Sequence, residues 1–301
     1  MSTIALNPTA QWREQNASRI ETWQRGIYRF RQSTLSIVGL TLIVLIFLVA
    51  IFGPLLVPYP ADAEGAIHVR ERFQGPSAAH WFGTDELGHD IFTLVVVGAR
   101  VSLSIGVIVL IVACVVGIAL GAIAGYFGGG LNEIIMRITD VFLTVPSLIL
   151  AIAIAAALGR SIQNSMLAIS LVWWPGYCRL VHAEVSSRKQ DLYVQAARAV
   201  GASHRRIIFT HILPNLTSPL IVKASLDMGF AILTAAALGF VGVGAQPPTP
   251  EWGAMLSVAR SYMPQYWWYP IFPGLALFLT VFGFNLLGDG LRDVLDPRAR
   301  R

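Results

Sequence analysis

Six stretches of the chain are apolar for long enough to cross a bilayer, at roughly 36–57, 99–126, 134–158, 164–183, 217–244 and 269–289. A helix needs about 20 such residues to span the hydrocarbon core. Pro175 interrupts the fourth run, which also carries Arg179 near its end, while Pro146 and Pro273 fall in the third and sixth. These prolines predict kinks, tolerated where neighbouring helices satisfy the freed carbonyls. The expected fold class is an all-α polytopic membrane protein with six transmembrane helices. Between the fourth and fifth runs lies a polar stretch, 184–216, that looks like a soluble helical hairpin.

Composition agrees with this pattern. Of 301 residues, 55% are hydrophobic and 13% charged, with a mean hydropathy of +0.62. A soluble domain averages roughly 25% charged residues. The formal charge of +5 could point to nucleic acid, but the positions of the basic residues give it another meaning. Six spans put both chain ends on one side. Arg13, Arg19, Arg25, Arg29 and Arg31 lie ahead of the first span. Arg188, Lys189, Arg198, Arg205 and Arg206 occupy the 184–216 loop, and Arg292, Arg298, Arg300 and Arg301 the C-terminal tail. The opposite side keeps Arg70, Arg72, Arg160 and Arg260, with Arg100 at its border. Basic residues concentrate on the cytoplasmic side of membrane proteins, so both termini are expected there and no nucleic-acid partner is implied. No short apolar core with a small-residue cleavage site precedes the first run, which is therefore expected to remain as an anchor. Cys114 and Cys178 lie in apolar runs without disulfide or metal-ligand spacing and are read as packing residues.

Polar and small residues inside the spans narrow the chemistry. Gly117, Gly121 and Gly125 share one helix face, either for close helix packing or as a channel wall. Lys223 and Asp227 are one turn apart in the fifth span. They can neutralise one another or line a pathway. Arg137 and Asp140 form a similar expected pair in the third span. An ion-coupled secondary carrier would rest on Asp227, whose lysine partner argues against it. Enzymatic motifs are missing: there is no HExxH and no G-x-S-x-G. "SYMPQYWWYP" at 261–270 crowds aromatics before the last span, either as a headgroup belt or for ligand stacking.

In the 184–216 stretch, Asp191 is placed to cap a helix in which Tyr193, Ala196, Ala197 and Val200 make one apolar stripe. Gly201 is expected to end it with positive φ, Ser203 to cap a second helix with Ile208 and Ile212 on one face, and Pro214 to stop that helix at Leu213. Such a hairpin can lie on its own membrane domain or seat in another protein's groove.

"QAARAVGASHRRIIFTHILP" resembles the cytoplasmic "EAA" loop of ABC importer permeases, with Gln195, Ala196, Ala197, Gly201, Leu213 and Pro214 on its register. Gln195 replaces the usual glutamate and His211 an isoleucine. "FGTDELGHDIF" (82–92) resembles the GTD-x-x-GRD motif of peptide and nickel permeases, with His89 in place of arginine. "AGYFGGGLNEIIMRITDVFLTVPSLILAI" (124–152), "GFVGVGAQPPTPEWGAML" (239–256) and "FNLLGDGLRDVLDP" (284–297) are similar to the same branch. Within it, the chain resembles the C-type subunit of dipeptide and oligopeptide transporters.

That resemblance implies a type I ABC importer permease fold in the bacterial cytoplasmic (inner) membrane. It divides the chain into a cytoplasmic tail (1–35), a first helix with external loop (36–98), a core permease domain (99–290) holding the coupling loop 184–216, and a C-terminal tail (291–301). Its implied partners are a homologous B-type permease, two cytosolic ATPase subunits and a periplasmic or lipid-anchored solute-binding protein. Gln195, Ala196, Ala197, Gly201, Leu213 and Pro214 would couple to the ATPase, and Gln246, Pro247, Pro248, Glu251 and Trp252 would meet the binding protein. ATP and Mg would be bound by the partner ATPases. This chain has no Gly-Lys-[Ser/Thr] phosphate loop, since Lys189 and Lys223 follow Arg188 and Val222. Peptide is the implied substrate, with nickel, glutathione or another small solute as the alternative in the same branch.

Overall fold

The computed structural model describes residue 28 and residues 30–295. The basic residues Arg13, Arg19, Arg25, Arg29, Arg298, Arg300 and Arg301, and with them most of both tails, lie outside the described residues. Within those described, the secondary structure is helical apart from one isolated bridge, Thr84 to Asp90.

The first helix, α1 (Thr34–Phe52), starts where the Ser33 hydroxyl accepts from the Ser36 amide and stays apolar on all sides. Helix α2 (Ile91–Phe127) follows a long loop and is capped by Asp90, which accepts from the Thr93 amide at 2.7 Å. Its 37 residues extend about 55 Å at roughly 1.5 Å per residue, well beyond the hydrocarbon thickness of about 30 Å. Expectation placed this span at 99–126, so eight further residues at its start, 91–98, are helical and outside the expected run.

The third expected span, 134–158, is not one kinked helix. Helices α3 (Gly129–Thr144) and α4 (Ser147–Leu158) meet at 93°. Pro146 lacks an amide and crowds the residue before it, so Val145 takes an extended conformation (φ −92°, ψ 134°) that breaks the helix outright. Pro175 and Pro273, by contrast, sit inside helices that run on through them.

Helix α5 (Ile162–Arg188) is long enough to span but is not apolar enough to qualify by composition. By length and composition four helical runs qualify among the described residues, Thr34–Leu55, Ile91–Phe127, His204–Val241 and Trp268–Leu295, and the bent α3–α4 pair makes a fifth. The count of six is thus met only if α5 is included. One side of α5, with Trp174, Tyr177, Cys178, Val181 and Val185, is buried within the protein. Their neighbour is the glycine face of α2. A Cβ on Gly117, Gly121 or Gly125 would lie 2.5 Å from Tyr177 Cβ, 2.5 Å from the Cys178 carbonyl or 2.8 Å from the His182 carbonyl. The glycines therefore serve helix packing, and the channel-wall reading falls.

The remaining helices are α6 (Leu192–Ala199), α7 (Thr217–Val241), α8 (Trp252–Ala259) and α9 (Trp268–Leu295). Helix α9 packs along α1, where Gly39 faces Leu286 and Gly290 faces Ser36. One end of the bundle carries the 53–90 loop and α8, and the other carries the α6 hairpin.

Candidate functional site

At the hairpin end, α6 begins after Asp191, which occupies the cap position (φ −66°, ψ 147°) without a side-chain capping bond. Its buried side is Val194 and Ala197, which join Ile207, Ile208, Ile212 and Leu216 in a cluster with Ala122 and Tyr126 of α2 and Val181 and Val185 of α5. The expected stripe is therefore corrected. Of its four residues only Ala197 is buried, while Tyr193, Ala196 and Val200 face outward with Leu192. Leu192 and Val200 are 82% and 84% exposed. The reason is tertiary: the helices beneath α6 accept Val194, one position away from the face that periodicity favours.

Gly201 has φ +81°, and its amide donates to the Arg198 carbonyl at 2.9 Å, while the Ala202 amide reaches Ala197 at 3.0 Å. This pair of bonds closes the helix end as glycine permits. Ser203 accepts from the Arg206 amide and starts the next helical turn. Pro214 does not stop that helix, contrary to expectation. The chain passes through a π turn (Ile207–Ile212) and a 3-10 turn (Leu213–Leu216) directly into α7. The changed winding absorbs the missing proline amide, and Leu213 keeps helical angles (φ −57°, ψ −39°). Gln195, standing where the resembling motif has glutamate, donates to the Gln190 carbonyl at 2.8 Å. The hairpin is tied to the bundle by Tyr126 Oη to His204 Nδ1 at 2.9 Å and by Lys189 Nζ to the Gly125 carbonyl at 2.8 Å. Sequence reasoning missed both ties, though Tyr126 directly follows the glycine face that brings α5 close.

Within the bundle, Lys223 Nζ lies 2.9 Å from Asp227 Oδ2 and 4.9 Å from the centroid of the Tyr177 ring. Asp140 pairs with Arg179 of α5, not with Arg137 of its own helix.

At the other end, the 82–92 segment builds a carboxylate–imidazole network. Asp85 accepts from the Leu87 and His89 amides, each at 2.8 Å, and faces His89 Nδ1 at 2.8 Å. Asp90 faces His80 Nδ1 at 3.0 Å, and Asp62 accepts from the Asp90 amide at 2.7 Å while facing His68 Nε2 at 2.9 Å. The hydrogen bond that His89 donates to Asp85 raises the His89 pKa, against the opposing effect of burial. The aromatics of 261–270 largely close this loop rather than forming a free belt. Tyr266 stacks on Phe73 at 4.0 Å, and Trp268 Nε1 donates to the Thr84 carbonyl at 3.3 Å.

The five residues expected to meet a binding protein divide. Gln246, Pro247 and Pro248 are exposed, but Glu251 and Trp252 are each only 2% exposed and cannot form an outer contact surface. Glu251 caps α8, accepting from the Gly253 and Ala254 amides at 2.9 Å each, and Ser102 donates to it at 3.3 Å. Burial raises its pKa, opposed by these three donors. Trp252 Nε1 donates to the Val95 carbonyl at 3.0 Å. Among the described residues, no cluster of His, Cys, Asp or Glu could hold a metal ion.

An α-helical bundle of apolar spans with an exposed helical hairpin at one end defines the class of this protein as a multi-pass membrane component. Comparison with known proteins makes this specific. Residues 117–301 match the family model described as binding-protein-dependent transport system inner membrane component, and residues 21–76 match the N-terminal TM domain of oligopeptide transport permease C. The chain belongs to this family of inner-membrane transport permeases. It is 47% identical to the dipeptide transport system permease protein DppC of Alkalihalophilus pseudofirmus, over 95% of this chain and 93% of that one. It is also 47% identical to the probable D,D-dipeptide transport system permease protein DdpC of Escherichia coli K12, covering 99% and 96%. A glutathione transport system permease protein, GsiD of Pectobacterium atrosepticum, is 43% identical over 92% of each chain. Among solved structures, a chain of the MetNI methionine ABC transporter in an inward-facing conformation shares the fold, with a TM-score of 0.53 at 18% identity. The match covers 67% of this chain and 96% of that one.

Proposed function

We propose that this protein is the C-type permease subunit of an ATP-driven importer of short peptides. The observation that carries the reading is the hairpin: Leu192, Tyr193, Ala196 and Val200 form an outward apolar face on a short helix. That helix is held against α2 and α5 through Val194 and Ala197. Such a face fits a groove on a cytosolic ATPase. The similarity to dipeptide permeases at 47% identity over nearly the whole chain supports peptide as the cargo.

In this reading residues 184–216 are the cytoplasmic coupling loop within a core domain of 99–290, and both termini are cytoplasmic. A related B-type permease completes the pathway, two ATPase subunits bind ATP and Mg, and a solute-binding protein docks on the external face near Gln246, Pro247 and Pro248. ATP-driven closure of the ATPases draws the two coupling helices together and opens the pathway outward. Hydrolysis returns it to the inward-facing state. Each partner must bind one state better than the other for this coupling to work.

The test is expression with the neighbouring permease, ATPase and binding-protein genes, followed by reconstitution into liposomes. The complex is expected to co-purify with its ATPase and to take up dipeptide only with ATP and binding protein present. Uptake driven by an ion gradient, without ATP, would overturn the reading in favour of a secondary carrier.

A further inference from the structure

Besides the Asp140–Arg179 pair, the described residues hold a second intramembrane charge cluster, on α7. Asp227 is the eleventh residue of α7, about 15 Å along it at roughly 1.5 Å per residue, and lies inside the apolar run 217–244. Lys223 lies one turn before it, and Tyr177 faces both from the middle of α5. Charges at this depth are expensive and are retained for function more often than for stability.

Two details point to an absent ligand. The Tyr177 side chain is fully buried, and its hydroxyl faces Asp227 and Cys114 without either coming within 3.5 Å in hydrogen-bonding geometry. A buried hydroxyl left in this state is rare and calls for an explanation. The lysine and aspartate side chains remain 31% and 16% exposed, so their pair is not sealed inside the bundle.

We infer that Lys223, Asp227 and Tyr177 form a transit site for the two charged ends of a short peptide. The lysine takes the terminal carboxylate, the aspartate takes the terminal ammonium group, and the Tyr177 hydroxyl donates to the carboxylate. Side chains at i and i+4 stand about 5–6 Å apart at Cβ, and two extended residues span at most about 7 Å. The spacing thus suits a dipeptide better than a longer chain. The exchange leaves no charge uncompensated: the internal pair opens, each member gains a substrate partner, and the pair reforms when the peptide leaves. A neutral solute of the same shape offers no such exchange. This site rests on the peptide-permease reading and adds the substrate groups it recognises.

The test uses the complete complex in nanodiscs, with equilibrium binding of labelled dialanine and of N-acetyl-dialanine amide, which has the same backbone without terminal charges. Wild type is expected to bind dialanine at least tenfold more tightly than the blocked peptide. The double variant Lys223→Met/Asp227→Leu, which leaves no lone charge, is expected to lose that preference and to bind the blocked peptide as wild type does. Tyr177→Phe keeps every charge and the packing, and is expected to weaken dialanine binding at least threefold with no change for the blocked peptide. Equal dialanine affinity in wild type and the double variant overturns the site. If the double variant does not assemble, unchanged affinity in Tyr177→Phe overturns it instead. ATP-dependent uptake by the wild-type complex separates the two levels: import without a preference for charged termini refutes only this site, whereas no ATP-dependent import refutes the permease reading beneath it.

Discussion

The phenol of Tyr126, the penultimate residue of α2, lies 2.9 Å from Nδ1 of His204, just past the Ser203 cap. With Arg198 stacked 5.4 Å over the same ring, this contact makes a polar tie between a membrane-spanning helix and the hairpin proposed to meet the ATPase. Tyr126→Phe removes the hydrogen bond and keeps the ring. A net loss of about 1 kcal/mol is expected for such a bond. Membrane levels should be unchanged, while binding-protein-stimulated ATPase activity of the reconstituted complex should fall severalfold. Unchanged stimulation would show that the tie carries no coupling.

Gly201 tests the hairpin from the other side. A Cβ there meets nothing within 4 Å, so the only barrier to substitution is its φ of +81°. Left-handed backbone costs an L-residue roughly 1–2 kcal/mol, and β-branched residues tolerate it worst. Gly201→Val should leave membrane insertion intact but weaken ATPase retention and uncouple uptake from the binding protein. Gly201→Asn should be much milder. Equal behaviour of the two variants would mean that the turn geometry is irrelevant.

Orientation can be checked with two exposed serines at opposite ends of the bundle, Ser77 and Ser203. Cysteines introduced singly at these positions, in a background lacking Cys114 and Cys178, should react with an impermeant maleimide from opposite sides. Ser77 should label from outside intact cells and Ser203 only after permeabilisation. Labelling of both from one side would reverse the proposed topology.

The His89–Asp85 pair predicts a pH dependence with a definite sign. Because the folded-state pKa of His89 is raised, its contribution to stability is complete below about pH 6.5, the unfolded value. It is lost as pH rises through the higher folded value. The melting temperature of the purified complex should therefore fall with rising pH over that window. His89→Asn, which keeps a donor near the Nδ1 position but cannot titrate, should flatten the slope. A wild-type profile identical to that of the variant would remove His89 as the origin.

Glu251 offers a stability test away from the pathway. It accepts from two amides at the start of α8, so Glu251→Ala leaves those donors unpaired in a buried setting. Loss of a helix cap costs about 0.5–2 kcal/mol. Thermal stability should fall by that order, whereas Gln246→Ala, on the exposed part of the same loop, should leave it unchanged. If binding-protein affinity fell in Glu251→Ala without loss of stability, its role would be contact rather than capping.

Sequence alone determined the features set by a few consecutive residues. Apolar run length predicted six spans, and four of them qualify by length and composition among the described residues, because crossing a bilayer depends on continuous apolar length. Gly201 was legible as a positive-φ stop and Ser203 as a cap, since both follow from local sterics and local hydrogen bonding. The four-residue spacing of Gly117, Gly121 and Gly125 marked a close helix contact before its partner was known.

Tertiary structure decided whatever depended on a distant neighbour. Pro146 was visible, but whether it bends or breaks the span depends on where α3 and α4 find their packing, and they separate by 93°. Asp140 had Arg137 on its own helix, yet it pairs with Arg179 on α5, 39 positions away, because α3 packs beside that helix. The outward face of α6 was misread by one position because the pocket between α2 and α5 accepts Val194. Glu251 and Trp252 looked like surface residues of a loop until Ser102 and Val95 of α2 were found bonded to them. Local chemistry is written in short windows of sequence, but burial is a property of the neighbours that folding brings.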